Sequence, residues 1–206
     1  MRKADKALYL AKEKGKNRHI IYEERLHGKL ESDDMQNMAM AYAVSKEKKR
    51  EVITKMITEL CVSGVNSIVK KEERLQQIRS LFDLDGITIY SESGAQLVCR
   101  NGNYMVEVPD GRGLFEDEKY LALFGDDDNF IESNTLKLRS QDPAAFAVMQ
   151  KQEIGAFLQC LSRKEGVPNV IVNYDVFNRN RKWSDEDITL LTILGHCIGN
   201  LLNYSE

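Results

Sequence analysis

The residues of this 206-residue chain best suited to chemistry are four cysteines, Cys61, Cys99, Cys160 and Cys197, and the carboxylate run Asp126-Asp127-Asp128. The cysteines form no CxxC pair and have no histidine at ligand spacing, so buried, reduced thiols are expected and no metal site. His196 and Cys197 are adjacent in sequence, and on a helix they cannot share a face as a metal pair. Three consecutive carboxylates could attract a hard divalent ion, but neighbours in sequence cannot all converge on it, and a solvated loop is expected. Cys99 and Cys160 both fall in strand-like stretches. Cysteines on strands are expected to fill a core.

Composition limits the alternatives. Hydrophobic residues make up 42% of the chain and charged residues 30%, as in an ordinary globular protein. No apolar run approaches the roughly 18 residues of a membrane span, and Arg2, Lys3, Asp5 and Lys6 interrupt anything resembling a signal peptide. A cytoplasmic protein without membrane contact is expected. The net charge of -3 is unevenly divided, with +5 on residues 1–29 and the balance of opposite sign beyond them. That division argues against nucleic-acid binding by the main body.

The elements that must hold these residues can be read from periodicity. Ala4, Ala7, Leu8 and Ala11 recur at helical spacing before Gly15, and His19 to Tyr22 read as one short strand. Residues 26–34 are polar and aperiodic, as in a linker. A long helix follows with Val52, Ile53, Met56, Ile57 and Leu60 on its apolar side, a break at Val62-Ser63-Gly64, and a resumption through Leu75, Ile78, Leu81 and Phe82. After Gly86 the period becomes two, which predicts strands at 87–90, 96–100 and 104–108 joined by short turns. Asp142 and Pro143 open a predicted helix through Gln152. Residues 155–162 and 170–176 read as two long central strands covered on both faces. Ser184, with Asp187 three residues later, caps a final Leu-rich helix.

Two resemblances organise these elements. The run Ala4-Asp5-Lys6-Ala7-Leu8-Tyr9-Leu10-Ala11-Lys12 followed by Gly15-Lys16-Asn17-Arg18 resembles the last helix and exit turn of GGDEF diguanylate cyclase domains. By that resemblance, residues 1–30 are a truncated C-terminal helix and strand whose Lys12 and Lys16 correspond to phosphate-approaching lysines. No GGDEF signature occurs in the chain, so no catalytic residue and no turnover are expected of it. Residues 154–202, with a Lys-Glu-Gly turn between two strands and a Trp-Ser-Asp-Glu-Asp start to the last helix, resemble the closing unit of the GAF domain, and the likeness extends over about residues 46–203. The segment 31–45 is then a linker and helix start, and 46–206 the GAF-like domain.

The second resemblance implies an α+β fold: a central antiparallel, profilin-like sheet with its terminal helices on one face and a pocket under shorter helices on the other. Candidate pocket residues are Tyr90, Cys99, Phe130, Phe146, Phe157 and Tyr174. Candidate helix and dimer contacts are Ile53, Met56, Ile57, Leu60, Gly195 and Gly199. Two helical glycines cost roughly 1 kcal/mol each relative to alanine, and close packing against a helix, a dimer mate or the domain's own sheet would offset that cost. Asn178-Arg179, Trp183 and Asp185-Glu186 partly echo a cyclic-nucleotide-binding signature, but segment 110–132 carries eight acidic residues against two basic ones, unfavourable to an anionic ligand. The expected function is a non-catalytic sensory, regulatory and dimerisation module from a cyclic-di-GMP signalling protein, with a small molecule as candidate ligand, no cofactor, and a homodimer formed through terminal helices. The alternatives are a ligand-free dimerisation scaffold and a cysteine-dependent GAF-fold reductase using Cys99 and Cys160.

Overall fold

The computed structural model describes residues 21, 23, 32–63, 72–92, 94–100 and 112–203. The expected helix of residues 4–14, Lys12 and Lys16, most of the strand at 19–22, and the third hairpin strand at 104–108 lie outside the described residues. Two compact units divide the chain, Met1–Arg50 and Glu51–Glu206. Helix α1 runs Ser32–Ser63.

In the second unit, helix α2 (Glu72–Leu81) leads into the strand pair β1 (Gly86–Ser91) and β2 (Gly94–Arg100). The short helix α3 (Glu118–Leu121), strand β3 (Asn129–Glu132) and helices α4 (Leu138–Gln141) and α5 (Pro143–Lys151) follow. The long strands β4 (Ile154–Lys164) and β5 (Val167–Phe177) and the helix α6 (Asp185–Asn203) complete it. The five strands form one antiparallel sheet in the order β2-β1-β5-β4-β3. β3 falls in a segment that sequence periodicity leaves mixed, because four residues are too few to show alternation.

Local chemistry explains the joints. Asp142 caps α5, its Oδ1 accepting from the N–H groups of Ala144 and Ala145 at 3.0 Å, and Pro143 occupies the first turn, where a missing N–H costs nothing. Between β4 and β5 the chain reverses at Glu165 and Gly166, with φ of 53° and 84°, the paired positive dihedrals of a tight hairpin turn. Pro168 is tolerated in β5 because it pairs with β4 alone, beyond the point where β1 ends opposite Val170. Ser184 Oγ accepts from the N–H of Asp187 at 3.1 Å at the start of α6.

The sheet separates two cores. On one face Ile53, Met56 and Leu60 of α1, Leu75 and Ile78 of α2, and Leu191, Leu194 and Ile198 of α6 pack on Ile87, Ile89, Leu158, Val172 and Val176 of the strands. Both long helices therefore cover the same face. Gly195 and Gly199 of α6 meet the sheet itself: a Cβ on Gly195 would lie 2.6 Å from Cys160 Sγ, and one on Gly199 would strike Ser162. The second core, on the opposite face, contains Tyr120, Phe124, Phe130, Leu138, Met149, Phe157, Leu161 and Ile171. Trp183 closes one end of the helix-side core. Its Nε1 donates to the Glu132 carbonyl at 3.2 Å, and the Arg181 guanidinium lies 4.2 Å from its ring centroid while pairing with Asp187 at 3.0 Å.

Candidate functional site

The face away from the long helices carries a row of buried polar side chains. In β5, successive residues alternate between faces: Val172, Tyr174 and Val176 point to the helices, so Asn173 and Asp175 point the other way with Ile171 and Phe177. The register places Thr88 of β1 opposite Asn173, and Asn173 opposite Gln159 of β4. Two residues along each strand, Gly86 faces Asp175. A side chain at Gly86 would crowd it, since a Cβ there would lie 3.4 Å from Asp175 Oδ2.

Asp175 is the centre of this row and is fully buried. Its Oδ1 accepts from Asn173 Nδ2 at 2.9 Å, while Oδ2 and Asn173 Oδ1 are buried with no hydrogen-bond partner among the described residues. Burial raises the Asp175 carboxyl to about 7; Arg100 and the Asn173 bond pull it down, and Asp85 pushes it up. Arg100, at the end of β2, reaches onto the same face. It donates to Gln152 Oε1 at 2.8 Å and lies 5.3 Å from the centroid of the Phe177 ring. The Tyr120 hydroxyl donates to Gln159 Oε1 at 2.6 Å, and burial pushes the phenols of Tyr120 and Tyr90 well above their ordinary range. Around them Phe130 stacks edge-on against Phe157, Tyr120 and Phe124 at centroid distances of 4.8 to 6.2 Å. A buried carboxyl with a bare oxygen beside an amide carbonyl can accept two hydrogen bonds from a ligand, and protonated it can donate one.

The six candidate pocket residues divide between the faces. Tyr90, Phe130 and Phe157 belong to the second core, and Phe146 packs against it from α5. Phe146 also lines an open cleft of about 370 Å³ bordered by Asn134, Gln150, Glu153 and Arg179. Tyr174 and Cys99 lie instead in the helix-side core. Tyr174 alternates with Asp175, and Cys99 pairs with Ile87, whose side chain faces the helices, so register fixes both placements. Of the helix contacts, Ile53, Met56 and Leu60 are buried within the chain's own core, and Ile57 packs against it. Gly195 and Gly199 pack on the chain's own strands.

The thiol pair does not converge. Cys99 is on β2 and Cys160 on β4, with β1 and β5 between them, so strand spacing alone separates them by about 14 Å. Both side chains belong to the helix-side core, and burial pushes the Cys160 thiol far above its usual range. Cys61 and Cys197 sit on α1 and α6. None of the four cysteines reaches the polar row, so this face offers no thiol for covalent attachment.

The acidic run has structural roles. Asp127 accepts from Asn129 Nδ2 at 2.9 Å, a bond that lowers its pKa, and Asp128 forms a bidentate pair with Arg163 at 2.8 and 3.2 Å. Among the described residues no group of three or more His, Cys, Asp or Glu could hold a metal ion. No helix among them is long and apolar enough to cross a membrane.

The sheet order, the helices gathered on one face and the polar row on the other can be compared with known structures. The chain superposes on the phycoerythrobilin-bound GAF domain of a cyanobacterial phytochrome with a TM-score of 0.54 at 11% identity, covering 79% of this chain and 97% of that one. The fold is that of GAF domains. A far-red-absorbing protein with bound biliverdin IXα gives 0.57 at 14% identity over 75% of this chain and 98% of that one. The chromophore-binding domain of Stigmatella aurantiaca bacteriophytochrome gives 0.57 at 14% identity over 78% of this chain and 61% of that one. No protein-family model and no curated protein matches the sequence. At such identities the likeness establishes the GAF fold, and the polar row of this chain must be read from its own residues.

Proposed function

We propose that this chain is a non-catalytic sensory and regulatory GAF module that receives a small molecule on the face bearing Asp175 and transmits its occupancy through α1 and α6. The observation that carries the reading is the buried polar row: a carboxyl oxygen and an amide carbonyl, both shut away from water and unpartnered among the described residues. Unpaired buried polar groups cost stability, and a ligand that satisfies them recovers it. The packing of both long helices on the other face of the same sheet supports the second half of the proposal. Occupancy on one face that favours one sheet geometry biases the seating of the helices on the other.

A homodimer through the long helices belongs to this reading. The apolar side chains Ile53, Met56 and Leu60 are committed to the chain's own core, which leaves outward residues such as Val62 and Ile193 for a partner. The GGDEF-like N-terminal motif supports a cyclic-di-GMP signalling context for the module. The same motif, without its catalytic signature, supports the absence of turnover: incubation with GTP and a divalent ion is expected to give no cyclic dinucleotide.

A ligand-free dimerisation scaffold is the second reading, favoured by the aromatic cluster of Tyr120, Phe124, Phe130 and Phe157, which interlocks on the face where a ligand would sit. Native mass spectrometry separates the two, because it reports oligomer mass and retained small molecules together. A retained ligand that Asp175→Asn releases supports the sensor. A dimer with no retained mass, and no thermal shift with any member of a metabolite library, overturns it in favour of the scaffold.

A further inference from the structure

The two bare atoms at the centre of the polar row are both acceptors. Asp175 Oδ2 and Asn173 Oδ1 are buried without a hydrogen-bond partner among the described residues. The Asn173 amide has one orientation, because an ionised carboxylate can only accept: Nδ2 must face Asp175 Oδ1, at 2.9 Å, and the carbonyl oxygen is left over. The two side chains stand two residues apart on one face of β5, a step of about 7 Å. That span is the edge of a single ring. The register sets aromatic groups beside it, since Asp175 pairs with Phe157 and Asn173 with Gln159, which accepts from the Tyr120 hydroxyl.

Charge narrows the choice further. Gly86 pairs with Asp175 on one side and with Arg100 on the other, so a carboxyl and a guanidinium stand on one face with a residue lacking a side chain between them. When Asp175 is ionised, the two charges sum to zero. The buried carboxylates of Glu132 and Asp142 are matched already, the first by Lys137 at 3.5 Å and the second by the first N–H groups of α5. An anion would meet bare acceptors, and a cation would bring an uncompensated charge into a buried row.

We propose that the molecule received on this face is a small, neutral, single-ring aromatic amine or amide, whose N–H donors bind Asp175 Oδ2 and Asn173 Oδ1 while its ring packs against Phe157 and Tyr120. The assignment rests on the sensor reading above and adds the chemical class of the ligand. An amino group carries two N–H donors, one for each bare oxygen, and a flat ring suits neighbours that already meet edge to face. Asp175 thereby determines specificity, because an analogue without the N–H group leaves both oxygens unpaired.

The test uses the full chain at pH 8, above the Asp175 pKa of about 7, and four one-ring probes: 2-aminopyrimidine, pyrimidine, benzamidine and benzoate. Thermal shift and titration calorimetry report binding. The expected result is that 2-aminopyrimidine binds roughly tenfold tighter than pyrimidine, which lacks only the amino group, and tighter than the cationic benzamidine or the anionic benzoate. Asp175→Asn puts an N–H donor of the same shape where the bare acceptor was. It should weaken 2-aminopyrimidine roughly tenfold and strengthen pyrimidine, whose ring nitrogens accept. Benzamidine or benzoate outranking 2-aminopyrimidine, with that binding lost in Asp175→Asn, would overturn the ligand class and leave the sensor reading standing. Binding of 2-aminopyrimidine that Asp175→Asn leaves unchanged would overturn both. No binding of any probe would overturn the class, and a ligand retained in native mass spectrometry would then separate that failure from failure of the sensor reading.

Discussion

The two faces of the sheet are built to different standards. Under α1, α2 and α6 the side chains are mainly aliphatic, joined by thiols, hydroxyls and the rings of Phe82, Tyr174 and Trp183, and the backbone approaches so closely that Gly195 and Gly199 have no room for a methyl group. Across the sheet, the same strands present Asp175, Asn173, Gln159 and Arg100 among aromatic rings, with polar atoms left bare. The helix face leaves the hydroxyls of Ser162, Tyr174 and Thr192 unpartnered among the described residues, whereas the other face leaves bare an ionisable carboxyl oxygen of Asp175 and the amide oxygen of Asn173. A domain gains nothing for its own folding from a buried carboxyl, so the difference marks the second face as the one selected for something other than stability.

Gly195→Ala is the hardest strike at the close-packed face. On an exposed helix this change adds about 1 kcal/mol of stability. Here the new methyl would sit 2.6 Å from Cys160 Sγ and 2.9 Å from its Cβ, so a loss of about 3 kcal/mol is expected in urea denaturation. Adding Cys160→Ala should recover part of that loss, because it removes the closer clash. A neutral or stabilising Gly195→Ala would show that this seam is loose and would erase the contrast between faces.

Asp175→Asn tests the other face and should act in the opposite direction. The unfolded carboxyl, with its ordinary pKa of 3.8, loses its proton near pH 4, while the folded one holds it until about pH 7. Between those values the native state binds more protons than the unfolded state, so wild-type stability should fall as pH rises from 4 to 7 and level off above. About three pKa units correspond to about 4 kcal/mol at most. The asparagine variant should therefore be more stable than wild type by about 2–4 kcal/mol at pH 8, differ little at pH 4, and show a flatter profile. A variant less stable than wild type at pH 8 would mean that Asp175 is a satisfied structural group.

Much of this contrast was legible in the sequence, but the site itself was not. The long helices, the caps at Asp142 and Ser184 and the hairpin between β4 and β5 follow from periodicity and turn chemistry. The stretch Val170 to Val176 reads as an apolar central strand, yet Asn173 and Asp175 stand two apart within it. Period two puts them on one face, and a pair of polar residues inside an otherwise apolar strand was the available signal. Which face they occupy could not be read, because strand order and register depend on pairings between distant segments. For the same reason Cys99 and Tyr174 fell among the pocket candidates.

A gentler probe of the second face is Asp142→Ala. The carboxylate accepts from the Ala144 and Ala145 N–H groups and starts α5, whose Ala145 and Met149 pack into the aromatic core. Its removal should cost about 1 kcal/mol. Because α5 touches only that side of the sheet's packing, hydrogen exchange should quicken in residues 143–151 while Leu191 to Ile198 keep their protection. Equal acceleration in α6 would mean that the two faces open together.

The smallest effect is expected at the edge of the sheet, where Asp128 grips Arg163 of β4 through both carboxylate oxygens. The geometry is good, but both side chains are about a third exposed, so solvent screens the attraction to less than about 1 kcal/mol. Asp128 also has a φ of 54°, a conformation asparagine adopts readily, so Asp128→Asn removes the charge without straining the backbone. The variant should lose no more than that amount in low salt, and the deficit should vanish near 1 M salt, where the Debye length falls to about 3 Å. Binding of any ligand at Asp175 should be unaffected, since Asp175 pairs with Phe157, six residues along β4 from Arg163. A salt-insensitive loss, or weakened ligand binding, would join the acidic loop to the polar face and extend the site across the whole width of the sheet.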